Sequence, residues 1–239
     1  MKIKPEYVSF ISTNRSLCDA IKIYEQRIKD ALDVYSVFKD KFYLRPCPVC
    51  GKTDNQEIDK FHGTYGIVKC DFCASVFVNP CPTLDTLEYY YNNCVCNEML
   101  GKIYRKRCLS KNLIISDRTT HIIEMIKKLL HYRKDDRPLK ILEIGCGSGV
   151  FLSELKQGLS IEGLLNLCEL YGVDIDQKAI RKSVDPDLNL FSASAEEFSK
   201  NNSCKFDMII HFELIEHLSD PFQFMVIDNT MFLLWVFYS

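Results

Sequence analysis

The chain has 239 residues, enough for one large domain with a small appendage, and its 47% hydrophobic content suffices for a buried core. Thirty basic residues against 32 acidic ones leave a net charge of −2, which excludes a generally basic nucleic-acid or membrane surface. The N-terminus lacks the apolar run of a signal peptide, and the longest apolar run, Met231 to Tyr238, is too short to cross a bilayer, so a cytoplasmic protein is expected.

From Arg15 to about Lys41, apolar positions such as Leu17, Ile21, Tyr24, Ile28 and Leu32 recur at three- and four-residue steps, the period of an amphipathic helix. Such a helix packs on its own domain or on a second copy. Twelve cysteines in a cytoplasmic setting point to thiols and metal sites rather than disulfides. Cys47-Pro-Val-Cys50-Gly and Cys70-Asp-Phe-Cys73 follow, with 19 residues between the two pairs. Each C-x-x-C turn aims two thiolates at one point, and four thiolates close the tetrahedral shell of a structural Zn²⁺. With short strands at Tyr65–Val68 and Val76–Val78, the pattern reads as a zinc ribbon. Four unligated buried cysteines are the bland alternative. Cys81, Cys94 and Cys96 fit no zinc spacing and are expected to be free thiols.

A short helix is expected over Thr83–Tyr91 and a charged one over His121–Arg133, with a polar linker at Lys134–Pro138. The run Ile141-Leu-Glu-Ile144 is then a buried strand, Gly145, Gly147 and Gly149 form a turn, and Val150-Phe-Leu152 opens a helix. Strand, glycine loop and helix cradle a nucleotide, because glycine lets the backbone approach a ligand where a Cβ would collide. Val150 occupies the place of the third small residue of the dinucleotide fingerprint, which counts against NAD or FAD. Leu170 to Asp176 is a second strand ending in acids. Asp174, 25 residues beyond Gly149, is placed to accept bonds from ribose hydroxyls, and Asp176 to cap the next helix. A third strand lies near Leu188–Phe191, and a fourth at Phe206–Ile210.

The segment Glu143-Ile-Gly-Cys-Gly-Ser-Gly149 resembles the first motif of the class I S-adenosylmethionine (SAM) methyltransferases. The segment from Phe206 to Pro221 resembles their fourth-strand motif. The whole resembles SAM-dependent methyltransferases with an N-terminal zinc-binding domain, a group that includes deoxysugar C-methyltransferases. The implied fold is α/β, a Rossmann-like sheet preceded by a small zinc ribbon and an N-terminal helix. The expected divisions are 1–44 (helical segment), 45–96 (ribbon and following helix), 97–137 (helical connector) and 138–239 (SAM-binding domain).

By that resemblance Glu143, Gly145, Gly147 and Gly149 lie along the methionine and ribose end of SAM and Asp174 holds the ribose. Ser194 and Ala195 lie at the adenine, and His211 sits beside the sulfonium. A base must also remove a proton from the acceptor. His217 is the first candidate, with Glu213 and Glu216 as alternatives. Similar E-x-x-E-H clusters bind a divalent ion in ubiquinone-pathway O-methyltransferases and small-RNA 2′-O-methyltransferases, so Mg²⁺ is a second implied cofactor. Glu216 and His217 simply ending a strand is the plain alternative.

After Pro221 the expected order is a helix over Phe222–Ile227 and a fifth strand over Met231–Tyr238, without the family's glycine turn or its last two strands. The sequence therefore reads as a shortened member of the family. Three functions follow from it. The first is methyl transfer to a small molecule such as a sugar nucleotide. The second is an inactive remnant whose ribbon is an interaction module. The third is an RNA methyltransferase, against which the neutral charge balance speaks. Neither DNA nor a membrane is an expected partner.

Overall fold

The structure, a computed structural model, describes residues 17–105, 109–201, 204–218, 221, 224 and 235–238. Helix α1 (Leu17–Phe38) realises the amphipathic period, and Arg15 and Ser16 of the expected helix lie outside the described residues. It packs in part on its own chain. The Tyr35 ring packs on Phe42 and Tyr65 at 5.5 and 5.2 Å, and the Tyr65 hydroxyl donates to the Ala31 carbonyl at 2.8 Å. Buried Asp30 accepts from the Gln26 side chain and from the Cys96 N–H, each at 2.7 Å.

The cysteine segment is a three-stranded antiparallel ribbon of β2 (Asn55–Phe61), β3 (Tyr65–Cys70) and β4 (Val76–Val78), in that order. β2 was not visible in the sequence, because Asn-Gln-Glu-Ile-Asp-Lys-Phe is exposed over most of its length and shows no apolar alternation. Two-residue strands β1 (Phe42–Tyr43) and β5 (Cys81–Pro82) pair across the ribbon's base. Three helices follow: α2 (Leu84–Asn93), α3 (Val95–Arg105) and α4 (Leu109–Tyr132). α4 starts twelve residues earlier than its charged C-terminal half suggested.

The second sheet contains β6 (Leu139–Ile144), β7 (Cys168–Asp174), β8 (Asn189–Ser192), β9 (Met208–Phe212) and β10 (Trp235–Tyr238). Their order is β10-β9-β6-β7-β8, and every pairing is parallel. Helices α5 (Val150–Ile161), α6 (Gln177–Arg181) and α7 (Ala195–Asn201) make the crossovers β6 to β7, β7 to β8 and β8 to β9. Parallel strands need such helices, and they cover the middle of the sheet, so β6 and β9 are buried almost throughout while the edge strand β8 is mostly exposed. One face buries Ile141, Met208 and Ile210 against Ile122 and Ile126 of α4 and Leu152, Leu155 and Leu159 of α5. The other buries Leu142, Val173 and Ile209 against Phe198 of α7 and Phe224. β10 coincides with the last four residues of the expected fifth strand. Met231–Leu234 and most of Phe222–Ile227 lie outside the described residues.

The base of the sheet is fastened by one ion pair. The Arg137 guanidinium grips the Asp207 carboxylate with both terminal nitrogens, one at 2.7 Å, and the Lys140 N–H adds a bond of 2.8 Å. Burial pushes the Asp207 carboxyl up, but Arg137 and the Lys140 N–H outweigh it and hold the carboxyl below its usual range. Among the described residues no helix is long and apolar enough to cross a membrane.

Candidate functional site

β6 pairs with β7 on one side and β9 on the other, so the strand order reverses beside it. In an open parallel sheet, the crevice outside the strands' carboxyl ends at such a reversal is where ligands bind. The glycine loop leaves β6 there. Gly145, Gly147 and Gly149 all take positive φ, at 78°, 55° and 75°. A Cβ on Gly149 would approach Leu188 Cδ1 to 2.9 Å, whereas one on Gly147 would meet nothing within 4 Å. A side chain at Gly149 would press on Leu188 and on Leu190 of β8, whereas Gly147 borders open space. The Gly147 N–H donates to Asp174 Oδ2 at 2.7 Å, which joins the loop to the acid at the end of β7.

Asp174 is the hinge of this arrangement. Its Oδ1 accepts from the Asp176 N–H at 2.7 Å. Burial pushes its carboxyl above the usual aspartate range, and the Asp176 and Gly147 N–H groups offset that only in part. Asp176 Oδ1 in turn accepts from the N–H groups of Lys178 and Ala179 at 2.9 and 3.0 Å, the helix cap its spacing implied. The Gln177 N–H is satisfied from far away in sequence: it donates to Asn92 Oδ1 of α2 at 3.0 Å, while Asn92 Nδ2 donates to the Ile175 carbonyl at 3.1 Å. Sequence reasoning missed Asn92, which lies 83 and 85 residues from its partners along the chain, so no local signal marks it.

Beyond Asp174 lies a cavity of about 390 Å³ bordered by Glu88, Asn92, Ile175, Ala193, Ser194 and Glu197 among others. Ser194 does more than border it. Its hydroxyl accepts from the Glu197 N–H at 3.1 Å, and Glu197 Oε2 accepts from the Ser194 N–H at 3.4 Å, a reciprocal cap on α7. The S-x-x-E signature was present in the sequence. Ala195 is the first residue of that helix.

On the other side of β6, His211 is buried near the end of β9, with the Phe224 ring 5.8 Å away. Glu143 is buried in β6, in register with Gly172 and Ile210. The chain leaves β9 through Glu213, whose φ of 49° is strained for a residue with a Cβ. Its exposed carboxylate pairs with Arg118 of α4 at 3.0 Å, and the Arg118 guanidinium lies over the Phe212 ring at 4.4 Å. Arg118 also escaped the sequence reading. His217 is exposed in a single turn, Ile215–His217, with the Tyr91 ring of α2 edge-on at 6.4 Å. The Glu216 side chain lies outside the described residues.

The four expected cysteines converge. The sulfurs of Cys47, Cys50, Cys70 and Cys73 all lie within 4.8 Å of one another, with Cys47–Cys73 at 3.5 Å and Cys50–Cys70 at 3.6 Å. A tetrahedral zinc with Zn–S bonds near 2.3 Å separates its sulfurs by about 3.8 Å, so the cluster fits that ion. The two knuckles are the same turn. Gly51 N–H donates to the Cys47 carbonyl at 2.9 Å, Ala74 N–H to the Cys70 carbonyl at 3.0 Å, and both residues have positive φ. The Lys52 backbone bond pulls the Cys50 thiol down, but burial and the three neighbouring sulfurs overcome it and push the thiol up to about 12. Four crowded thiols cannot all ionise without a cation among them. Cys81, Cys94 and Cys96 join no such cluster among the described residues.

Residues 114–226 match a protein family described as a methyltransferase domain. The chain is 30% identical to a ubiquinone biosynthesis O-methyltransferase of Thiobacillus denitrificans, the alignment covering 34% of each chain. It is 31% identical to the protein of the same name from Aromatoleum aromaticum, again over 34% of each. The chain thus spans about a third of the length of the curated relatives it matches. A plantazolicin methyltransferase in complex with SAH superposes with a TM-score of 0.46 at 17% identity, covering 62% of this chain and 53% of that one. The match over residues 114–226, the order of the parallel sheet and the glycine loop facing Asp174 agree with one another: this part of the chain is similar to a methyltransferase domain, and a four-cysteine ribbon precedes it.

Proposed function

We propose that the chain binds SAM across the carboxyl ends of β6, β7 and β8 and transfers its methyl group to a small-molecule acceptor. The observation that carries this reading is the bond from the Gly147 N–H to Asp174, beside the open space at Gly147, at the point where the strand order reverses. In that reading Asp174 accepts the ribose hydroxyls, Gly145, Gly147 and Gly149 leave room for the methionine end, and the main chain at Ser194 and Ala195 borders the adenine. Glu143 and His211 flank the methyl-transferring end from β6 and β9.

Bound SAM supplies an electrophilic methyl on a sulfonium. The protein's task is then to align an acceptor atom with that methyl and to receive the acceptor's proton. His217 is exposed and beside Tyr91, a position open to an acceptor. Glu213 is already engaged by Arg118, which supports a positioning part for it rather than the part of a free base. The names of the relatives favour a hydroxyl acceptor, and a sugar nucleotide belongs to the same chemical class of hydroxyl-bearing metabolites. The cysteine cluster is proposed as a structural zinc site, since four thiolates leave no open coordination position for catalysis.

Native mass spectrometry with SAM or SAH, followed by transfer of labelled methyl to a panel of phenolic and sugar-nucleotide acceptors, tests both halves. One zinc and one SAH per chain, with label in a hydroxyl acceptor, is the expected result. Zinc without any SAH would sink the methyltransferase reading and leave the ribbon as an interaction module.

A further inference from the structure

The loop that presents Asp174 is held by hydrogen bonds from two directions. Inside the loop, Asp174 takes the Asp176 N–H, and Asp176 takes those of Lys178 and Ala179. The Gln177 N–H and the Ile175 carbonyl are left for the side-chain amide of Asn92. A third bond, from Asn92 Nδ2 to the Glu88 carbonyl at 2.9 Å, fixes that amide on its own helix. Asn92 is half-buried, and it borders the cavity that lies beyond Asp174.

Helix α2 belongs to the ribbon by covalent and hydrogen-bonded continuity. It begins at Leu84, directly after β5, and β5 pairs with β1 just ahead of Cys47. Asn79, between β4 and β5, accepts from the Arg45 N–H at 3.1 Å and donates its own N–H to the Gly66 carbonyl at 3.0 Å. The orientation of α2 is therefore set by a fold that four cysteines organise. A ribbon of this size has too little apolar core to hold its shape without the ion, whose binding free energy is folding free energy.

We propose that Asn92 is a positioning residue that links the two sites: the metal-loaded ribbon holds α2 against residues 175–177, the loop carries Asp174, and zinc and adenosyl ligands bind each other's form of the protein more tightly. The inference rests on the SAM-binding reading above. Linkage of this kind is reciprocal, so it is readable from either ligand.

Two titrations on the full chain test it. In the wild type, calorimetry should show SAH binding about tenfold weaker after zinc is chelated, the size expected when two neutral hydrogen bonds are lost. Saturating SAH should in turn tighten zinc binding by a similar factor, read by equilibrium competition with a chromogenic chelator, and slow zinc release. Asn92→Ala should keep one zinc and the wild-type circular dichroism, bind SAH about tenfold more weakly when zinc-loaded, and release zinc at a rate that SAH no longer alters. Wild-type SAH affinity in Asn92→Ala, or SAH still slowing its zinc release, would overturn the proposal. Should that variant lose zinc or fold, Asn92→Asp keeps the acceptor for Gln177 and loses the donor to Ile175 together with the bond to Glu88 on its own helix. An undiminished effect of SAH on zinc release in Asn92→Asp would count equally against it. A wild type that binds no SAH at all would instead overturn the function proposed above.

Discussion

In the SAM-binding reading proposed above, Asp174 couples charge, burial and ligand in one side chain. Because burial raises its carboxyl above the usual aspartate range, the proton returns earlier than normal as the solution is acidified. SAM affinity of the wild type should fall as pH drops through that raised value, and Asp174→Asn should bind more weakly by about 1–3 kcal/mol at neutral pH with a flat profile below it. The sign for folding is the opposite: a raised carboxyl contributes most to stability in acid, and the contribution is lost as pH rises through its folded value. Calorimetric titrations with SAH across the acid range check both variants. A second residue-scale expectation concerns Ala74, whose φ of 60° sets a side chain where Gly51 stands in the matching knuckle. Ala74→Gly should stabilise the ribbon by about 1 kcal/mol in thermal unfolding. The sequence made Gly51 legible because C-x-x-C-G names its turn. Its twin was hidden, because nothing in C-D-F-C-A says that the alanine adopts the glycine's conformation.

Elements were legible where their signals are local. The glycine loop after β6 and the Asp176 cap on α6 follow from spacing alone, since donor and acceptor lie within a few residues. Ser194 illustrates a signal present but assigned elsewhere: it was placed at the adenine by resemblance, and its hydroxyl caps α7 through a S-x-x-E pair. Ser194→Ala should cost about 1 kcal/mol by denaturant titration, the usual worth of an N-cap. SAH affinity should change less, because the proposed adenine border there is main chain. β2 was illegible for a different reason. Its side chains are mostly exposed and polar, and its strand geometry is imposed by the β3 backbone, with a register shift between Glu57 and Asp59.

At the scale of the molecule, the succession of strands from β6 to β9 along the chain could be read from the sequence, but the joints between distant segments could not. Arg137 and Asp207 are 70 residues apart. Since Asp207 is held below its ordinary value of 3.8, its stabilising contribution is complete above that pH and disappears as pH falls through the depressed folded value. Asp207→Asn should therefore destabilise by about 1–3 kcal/mol at pH 7, less than a fully buried pair because Arg137 is half-exposed. Urea titrations at successively lower pH should show the gap closing. The buried carboxylate of Asp30 has a different kind of reach. It accepts from the Cys96 N–H, so the first turn of α3 is completed by a group on α1, 66 residues earlier. The whole ribbon is then a loop whose two ends are clasped, and during synthesis that clasp cannot close until the chain has emerged past Cys96. α1 and α3 should accordingly open as one cooperative unit. In hydrogen–deuterium exchange the Cys96 amide should report the detachment of α1, and Asp30→Asn should speed its exchange together with that of the α1 interior.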